Sequence, residues 1–370
     1  MLIKSTLLFL LVVHGLIHLL GFAKALNPAA LSAITRSISP FEGALWLACA
    51  LLLLATALLH GRFEAWWIVG LAGILLSQGL LFRHWNDARF GTVLNAILLL
   101  AVALGYARWA FEREVRLSVA SIQTSAASPG SIVDEARLAP LPTPVQRWLR
   151  RASVLEKPIV ANAHLRQEGR MRTAPDGAWM PVRAEQWIAV SSPAFVWSAR
   201  MYPVPGLHIA GRDTLREGRG RMLIKVLSSY TIADAAGPEI DQGALVRFLA
   251  EIVWMPSAAL TDAIRWSPID ENRATATLVQ GDTSVSATFE FSPEGDPRFI
   301  RANRYFTREQ GATLEKWRIG IDQDSFQLID GLRIPMKSTV TWELAEGDFE
   351  WFQVEINDLA FDPAGIAAES

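Results

Sequence analysis

Four apolar segments within the first 112 residues constrain the fold of this 370-residue chain more than any other feature. They cover residues 5–23, 43–59, 65–82 and 90–107. About 20 apolar residues in helical conformation cross the hydrocarbon core of a bilayer. Tryptophans near the segment ends and arginines beside them are typical of a membrane interface. The sequence therefore predicts a transmembrane four-helix bundle over residues 1–112.

Two histidines interrupt the first apolar segment. His14 and His18 are four residues apart, so a helix places them on one face. Polar rings are costly in hydrocarbon, and one interpretation is that they form hydrogen bonds across the bundle, with Gln78, Asn95 or Ser77. The alternative is a metal or haem site, or proton or quinone chemistry. We predict a polar membrane site of His14, His18, Gln78 and Asn95 without a cofactor, and keep metal or haem binding by the two histidines as the alternative.

The first segment also fits a second description, a cleaved signal peptide. Lys4 precedes the apolar run and Ala-Lys-Ala follows it at residues 23–25. The paired histidines favour a retained span. Positive charges number five on one side of the bundle and four on the other, which does not decide the orientation. The single cysteine, Cys49, excludes an intramolecular disulfide and leaves the compartment undetermined.

Residues 113–370 have the composition of a water-facing domain. Seven Lys or Arg and four Asp or Glu precede residue 113, whereas 28 basic and 33 acidic residues follow, a formal net charge of −5. This acidic balance lacks the basic footprint of a nucleic-acid binder. The polar stretch 113–140 predicts a linker, and residues 141–370 predict a soluble β-rich domain.

Beyond Pro158 the spacing of apolar residues changes from that of a helix to alternation at every second residue, which is typical of strands. About ten such runs predict a large, curved antiparallel sheet, so the fold class is a membrane helical bundle of four spans plus an α+β domain. Apolar residues at helical spacing in 242–254 predict one inserted helix, and 256–263 predict a second turn or helix. Before the sheet, Thr143-Pro144 begins a helix with three arginines. That helix either packs on the sheet, which we favour, or lies on an anionic membrane.

Nine tryptophans lie in the β-rich domain, and several occupy apolar phases of strands. A curved sheet either packs these rings as core or leaves a groove between them, and the core interpretation is favoured. If a groove forms, it suits an acyl chain or an isoprenoid. The candidate groove residues are Trp187, Trp197, Trp254 and Trp342.

Three motifs carry a resemblance to a known family. They read HGLIHLLGF at 14–22, WNDARFGT at 85–92 and LPTPVQRWLR at 141–150. With the stretch 254–306, they resemble an uncharacterised bacterial family of multi-pass membrane proteins with a β-rich C-terminal domain and no assigned activity. More distantly, the expected sheet resembles the half-barrel of lipoprotein-sorting carriers, which hold acyl chains in an apolar groove. That resemblance implies the bacterial inner membrane and favours an extracytoplasmic domain.

No signature of a hydrolase, a nucleotide-binding protein or a zinc enzyme occurs in the chain, so the sequence assigns no catalytic residue. The leading hypothesis is a membrane-anchored envelope module that binds a lipid-like ligand drawn from the bilayer. The alternatives are a metal- or haem-dependent membrane redox protein using His14 and His18, and an envelope module that binds a protein partner.

Overall fold

The computed structural model describes residues 2–29, 31, 34–123 and 130–363. These residues form two compact units, one up to Arg113 together with 227–229, and one comprising the rest of the chain from Glu114. The predicted linker at 113–140 includes residues 124–129, which lie outside the described ranges. On its described N-terminal side the chain is helical up to Gln123.

The first unit consists of apolar helices. Its elements are α1 (Leu2–Leu26), α2 (Pro40–Leu59), α3 (Trp66–Arg83), the short α4 (Trp85–Ala88) and α5 (Gly91–Gln123), which continues into the second unit. Four of these helices, all except α4, are long and apolar enough to cross a membrane. The expected helical region with four apolar spans is therefore confirmed as a fold.

Local sequence explains where α2 begins. The Ser39 hydroxyl accepts a hydrogen bond from the Glu42 backbone N–H at 3.2 Å, and the Glu42 carboxylate accepts one from the Ser39 backbone N–H at 2.9 Å. Pro40 occupies the first turn, where its missing N–H costs nothing. Glu42 also pairs with Arg83 at the end of α3, so one carboxylate joins two helices.

The second unit is dominated by antiparallel strands. In chain order they are β1 (Asn162–Met171), β2 (Met180–Ala189), β3 (Ala194–Val204), β4 (Leu207–Arg216), β5 (Arg219–Val226), β6 (Tyr230–Ala236), β7 (Ile264–Pro268), β8 (Arg273–Gln280), β9 (Thr283–Phe291), β10 (Pro297–Arg308), β11 (Gly311–Ile321), β12 (Phe326–Ile329), β13 (Leu332–Pro335), β14 (Lys337–Leu344) and β15 (Gly347–Phe361). Thirteen of them form one sheet in the order 6-5-4-3-2-1-15-14-11-10-9-8-7, and β12 pairs with β13 separately. The curved antiparallel sheet is confirmed, with thirteen strands rather than about ten.

The helices of this unit are α6 (Glu135–Leu138), α7 (Thr143–Arg151) and α8 (Pro238–Glu251), and two 3-10 turns follow α8 at Ile252–Trp254 and Pro256–Leu260. Helix α8 contacts β4 and β5 as well as β9 and β10. Those strand pairs lie in opposite halves of the sheet order. One helix reaches both because the sheet curves around it into a half-barrel with α8 on the concave face. The expected inserted helix is confirmed and begins four residues earlier, at Pro238.

Helix α7 packs on the sheet. The Trp148 ring lies 5.6 Å from the Phe291 ring and 6.0 Å from the Phe289 ring, and it is 2% exposed. The arginines of α7 bind within the same unit, since Arg147 donates to the Glu271 carbonyl at 2.9 Å and Arg150 pairs with Glu135. The packing interpretation of this helix is therefore the one that the contacts support.

Candidate ligand site

A row of polar and aromatic side chains crosses the concave face of the half-barrel. Gln186 of β2 is in register with Trp197 of β3, which is in register with Asp213 of β4. Side chains at paired positions of neighbouring strands point to the same side of a sheet. The row next to it is Ile188, Phe195 and Leu215. Asp213 is thus an acidic residue in an inward strand phase that otherwise carries apolar side chains.

Arg247 of α8 ties this row together. Its guanidinium donates hydrogen bonds to Asp213 Oδ2 at 3.1 Å, to Gln186 Oε1 at 3.1 Å and to Glu251 Oε1 at 2.8 Å. The same guanidinium lies 4.9 Å from the centre of the Trp197 ring. Buried charge is tolerated when it is paired and hydrogen-bonded, and Arg247 meets both conditions.

Two glutamines extend the cluster. Gln186 Nε2 donates to Glu251 Oε2 at 2.5 Å, and Trp197 Nε1 donates to Gln167 Oε1 at 2.9 Å. We call the set of Gln167, Gln186, Asp213, Arg247 and Glu251 the interior cluster. It contains two carboxylates and one guanidinium, so it carries a formal charge of −1 when both acids are ionised.

Burial raises the pKa of the Asp213 carboxyl above its ordinary value, while the positive charges of Arg247 and Arg304 oppose that shift. Yet 27% of the Asp213 side-chain surface is accessible. Asp213 is therefore a partly accessible carboxylate on the concave face of the sheet.

Arg304 lies on the same side of β10. It is two residues along from Ala302, which is in register with Trp317 of β11, and its guanidinium lies 5.5 Å from the centre of that ring. A Cβ added to Gly243 of α8 would be 3.1 Å from Arg304 Nε, so the absent side chain at Gly243 leaves room for the guanidinium. Gly243 and Arg247 are one helical turn apart, which sets Arg304 beside the interior cluster.

The Arg304 guanidinium has no hydrogen bond and no ion pair with any residue in the described ranges. Burial lowers its pKa to about 10, with repulsion from Arg247 adding to the shift and the charges of Asp213 and Glu251 opposing it. The group remains cationic at neutral pH. Like Asp213, Arg304 retains some accessible surface. It is a cation on the concave side that contacts the Trp317 ring and has no hydrogen-bond acceptor among the described residues.

A cleft of about 290 Å³ opens beside the ends of β10 and β14 and the start of β15. It is lined by Phe306, Leu344 and Phe349 together with the turns at 173–175 and 346–348. Phe306 is two residues beyond Arg304 on β10, so both point to the concave side. The Phe306 ring packs edge to face on Trp342 at 5.0 Å. Apolar and aromatic side chains therefore lead from the cleft to the cationic group.

The structure separates the four tryptophans named from the sequence. Trp197 and Trp342 lie on the concave face, and Trp254 is in a 3-10 turn. Trp187 is in register with His164, on the opposite face, where the two rings stack at 5.1 Å. All four are buried. Trp187 therefore does not share a surface with Trp197 and Trp342.

The structure brings the predicted polar membrane residues together in the first unit. His14 Nε2 lies 2.8 Å from Asn95 Oδ1 and 3.3 Å from Ser77 Oγ, and Asn95 Nδ2 donates to Gln78 Oε1 at 3.0 Å. His18 Nδ1 donates a hydrogen bond to the His14 carbonyl oxygen at 2.9 Å. Because a carbonyl only accepts, Nδ1 of His18 carries the proton. These contacts join α1, α3 and α5.

A column of rings continues from this polar group. The rings of His14 and His18 are 4.6 Å apart, those of His18 and Trp46 are 5.1 Å apart, and those of Trp46 and His84 are 5.7 Å apart. Within the described part of the chain, His18 Nε2 and both ring nitrogens of His84 are buried without a hydrogen-bond partner. Among those same residues, no group of three or more His, Cys, Asp or Glu has the arrangement of a metal site.

Sequence reasoning missed the residues at the centre of the concave face. The run from Arg212 to Arg221 is rich in charged residues, yet Asp213 within it points inward to Arg247. The sequence signal is its position in the strand. Asp213 is two residues before the buried Leu215, so both side chains point to the same side of β4. Arg304 carries the same signal, because it continues the inward phase of Ile300 and Ala302.

The fold defines the class of this protein. A set of apolar helices is followed by a curved antiparallel half-barrel with a helix on its concave face. More particularly, the chain belongs to the family of unknown function DUF6544, whose model matches residues 131–354. The expectation of a family without assigned activity is confirmed for that range. Of the three motifs that suggested it, only the one at 141–150 lies within the match.

Two solved structures are similar to the chain at low identity. One is a domain of an inferred outer membrane lipoprotein-sorting protein from Vibrio parahaemolyticus, with 10% identity and a TM-score of 0.31 over 56% of this chain and 88% of that one. The other is a DUF1329 family protein from Desulfovibrio piger, with 10% identity and a TM-score of 0.33 over 64% of this chain and 95% of that one. Among curated protein sequences, none matches the chain.

Proposed function

We propose that this protein is a membrane-anchored module of the bacterial envelope whose β domain binds a lipid-like ligand on its concave face. The observation that carries the proposal is the apolar cleft at Phe306, Leu344 and Phe349, whose side chains lie on the same face of the sheet as the interior cluster. Ligand sites are concave, mostly apolar and furnished with a few polar groups that orient the ligand. The cleft and the interior cluster supply both kinds of group on one face.

Four apolar helices support the membrane part of the proposal. A tether to the bilayer keeps a hydrophobic ligand close to its source, which limits the time that its chains spend in water. The proposal places the apolar helices in the inner membrane and the β domain on its extracytoplasmic side.

A reporter cysteine at the exposed Glu217, in a chain with Cys49→Ser, tests on which side of the membrane the β domain lies. Labelling of intact spheroplasts by a membrane-impermeant maleimide is expected, and labelling only after lysis contradicts this orientation.

Site-specific photo-crosslinking in cells tests the ligand proposal. A benzoylphenylalanine at Phe306 faces the concave side, whereas the same group at the adjacent Tyr305 faces the opposite side and is the matched control. After irradiation, mass spectrometry of the purified full-length protein reports lipid adducts. We expect adducts at position 306 and few at position 305. Equal yields at both positions, or none at 306, contradict ligand binding in the cleft.

A second candidate function is redox or metal chemistry in the first unit. It is favoured by His18 Nε2 and both ring nitrogens of His84, which are buried without a hydrogen-bond partner among the described residues and lie next to Trp46. Imidazole nitrogens of this kind suit a metal or haem ligand. The absorption spectrum and elemental analysis of the purified full-length protein test it. A Soret band or a stoichiometric metal that is lost in His18→Ala supports this function, and the lack of both contradicts it.

A further inference from the structure

The guanidinium of Arg304, which has no hydrogen-bond acceptor among the described residues, indicates what kind of head group a ligand of the concave face carries. Three of the contacts of Arg247 are made with protein acceptors, so its charge is already engaged. Arg304 of β10 lies beside Gly243, which is one helical turn from Arg247 along α8, and its guanidinium has no such acceptor among the described residues. An arginine on the concave face without a hydrogen-bond acceptor leaves up to five N–H donors for a bound molecule.

The surroundings of Arg304 select for an anion with an apolar chain. A guanidinium forms its strongest hydrogen bonds with carboxylate or phosphate oxygens, often two at once. On the side toward the cleft the next inward residue is Phe306, whose ring meets Trp342. A molecule that reaches Arg304 from the cleft therefore has its charged end inside and its apolar part against the aromatic rings.

We propose that the β domain binds an amphiphile with an anionic head group, carboxylate or phosphate, and that Arg304 holds this head group while the chain lies along Phe306, Trp342 and Phe349. The inference rests on the proposed function, because it names the class of ligand for the same cleft. Gly243 contributes by having no side chain, since a Cβ there would crowd the guanidinium at 3.1 Å.

The interior cluster is compatible with the added negative charge. Its two acids are engaged with Arg247, and the pKa of Asp213 is already raised by burial. Arg304 adds a second positive charge beside these two acids, while its N–H donors have no hydrogen-bond acceptor among the described residues. If Arg304 served only to balance the cluster at a distance, a charged and an uncharged ligand would bind alike.

Photoaffinity labelling of the full-length protein in phosphatidylcholine vesicles tests the inference. The probes are a diazirine-bearing stearic acid and the matching diazirine-bearing stearyl alcohol, which differ only in the head group. Mass spectrometry measures labelling of peptides from the concave strands. We expect the acid to label the wild-type protein about tenfold more than the alcohol, the usual scale of a charge-assisted hydrogen bond. Equal labelling by the two probes overturns the inference, while adducts at position 306 would still uphold the proposed function.

Variants of two arginines on β10 locate the head group. Arg304→Gln is expected to reduce acid labelling about tenfold without changing alcohol labelling, and Arg304→Lys to retain most of it. Arg308→Gln is the matched control, because Arg308 already pairs with Glu315 and Glu346. A loss in Arg308→Gln equal to that in Arg304→Gln contradicts the assignment. If Arg304→Gln fails to fold, the acid-to-alcohol ratio of the wild-type protein still decides.

A diazirine-bearing phosphatidic acid distinguishes the two sources of negative charge. Preferential labelling by this probe assigns a phospholipid head group, and preferential labelling by stearic acid assigns a free carboxylate. Both results support an anionic ligand. Labelling by none of the probes overturns the inference, and the crosslinking at Phe306 and Tyr305 then decides independently whether any lipid enters the cleft.

Discussion

Arg247 and Asp213 meet in the interior of the β domain, where Nη1 of the helix residue donates to Oδ2 of the strand residue at 3.1 Å. The pair joins α8 to β4, and Arg247 also binds Glu251 at 2.8 Å. One guanidinium thus serves two acids on the concave face. Its removal leaves both carboxylates without their direct counterion.

Arg247→Gln is expected to destabilise the protein by about 3–5 kcal/mol, because breaking a buried ion pair leaves uncompensated charge in a medium of low polarity. Chemical denaturation of the detergent-solubilised full-length protein, followed by tryptophan fluorescence, measures the change. The double variant Arg247→Gln with Asp213→Asn is expected to recover part of the loss. A single variant as stable as the exposed control Arg216→Gln would show that the pair contributes nothing.

The stability of Asp213→Asn relative to the wild type is expected to increase with pH. The pKa of Asp213 is raised in the folded state, so its favourable contribution is complete below the unfolded value of about 3.8 and is lost as pH rises through the folded pKa. Asparagine cannot ionise and escapes that loss. The measurement is the difference in melting temperature between variant and wild type at pH 4, 6 and 8.

The control for this pH dependence is Asp270→Asn. The hydrogen bond from Arg273 is the largest cause that lowers the pKa of Asp270, and this carboxylate lies at the surface. Its contribution is present above the ordinary Asp value and lost as pH falls, so the relative stability of this variant is expected to change in the opposite direction. Parallel pH profiles for the two variants would contradict the interior position of Asp213.

His14 and Asn95 are expected to be energetically coupled. Their side chains are 2.8 Å apart on α1 and α5. Interhelical hydrogen bonds in membrane proteins contribute about 0.6 kcal/mol on average and up to about 1.7 kcal/mol. A double-mutant cycle with His14→Ala and Asn95→Ala, measured by SDS-induced unfolding in mixed micelles, is expected to give a coupling energy in this range. The cycle of Leu16→Ala, an exposed position, with Asn95→Ala is expected to give none.

Gly21→Ala is expected to weaken the packing of α1 on α2. A Cβ at this position would lie 2.2 Å from Cδ2 of the Trp46 ring, so the helices must separate or the ring must move. Overpacking of this kind costs about 1–3 kcal/mol. Gly79→Ala, also in a helix interior, meets no atom within 4 Å and is the control. SDS-induced unfolding is expected to show a loss for the first variant and no loss, or a small gain, for the second.

Local patterns in the sequence predicted the elements of this protein. Four long apolar runs indicate four helices, because each run alone satisfies the length and the internal hydrogen bonding of a span. The alternation after Pro158 indicates strands, and the spacing in 242–254 indicates the helix that became α8. The spacing of His14 and His18 likewise predicts that both lie on one face of a helix. Each of these signals depends on residues that are only two to four positions apart in the sequence.

Only the tertiary structure decided which distant residues meet on the concave face. Asp213 and Arg247 are 34 positions apart in the sequence. Gly243 of α8 and Arg304 of β10 lie side by side although several strands separate them in the sequence. The register also sent Trp187 to the face opposite Trp197, a consequence of the two-residue period of a strand. Composition and periodicity are local properties, whereas strand order and curvature set the neighbours of a side chain. The interior cluster and its neighbour Arg304 are therefore brought together only in the folded half-barrel.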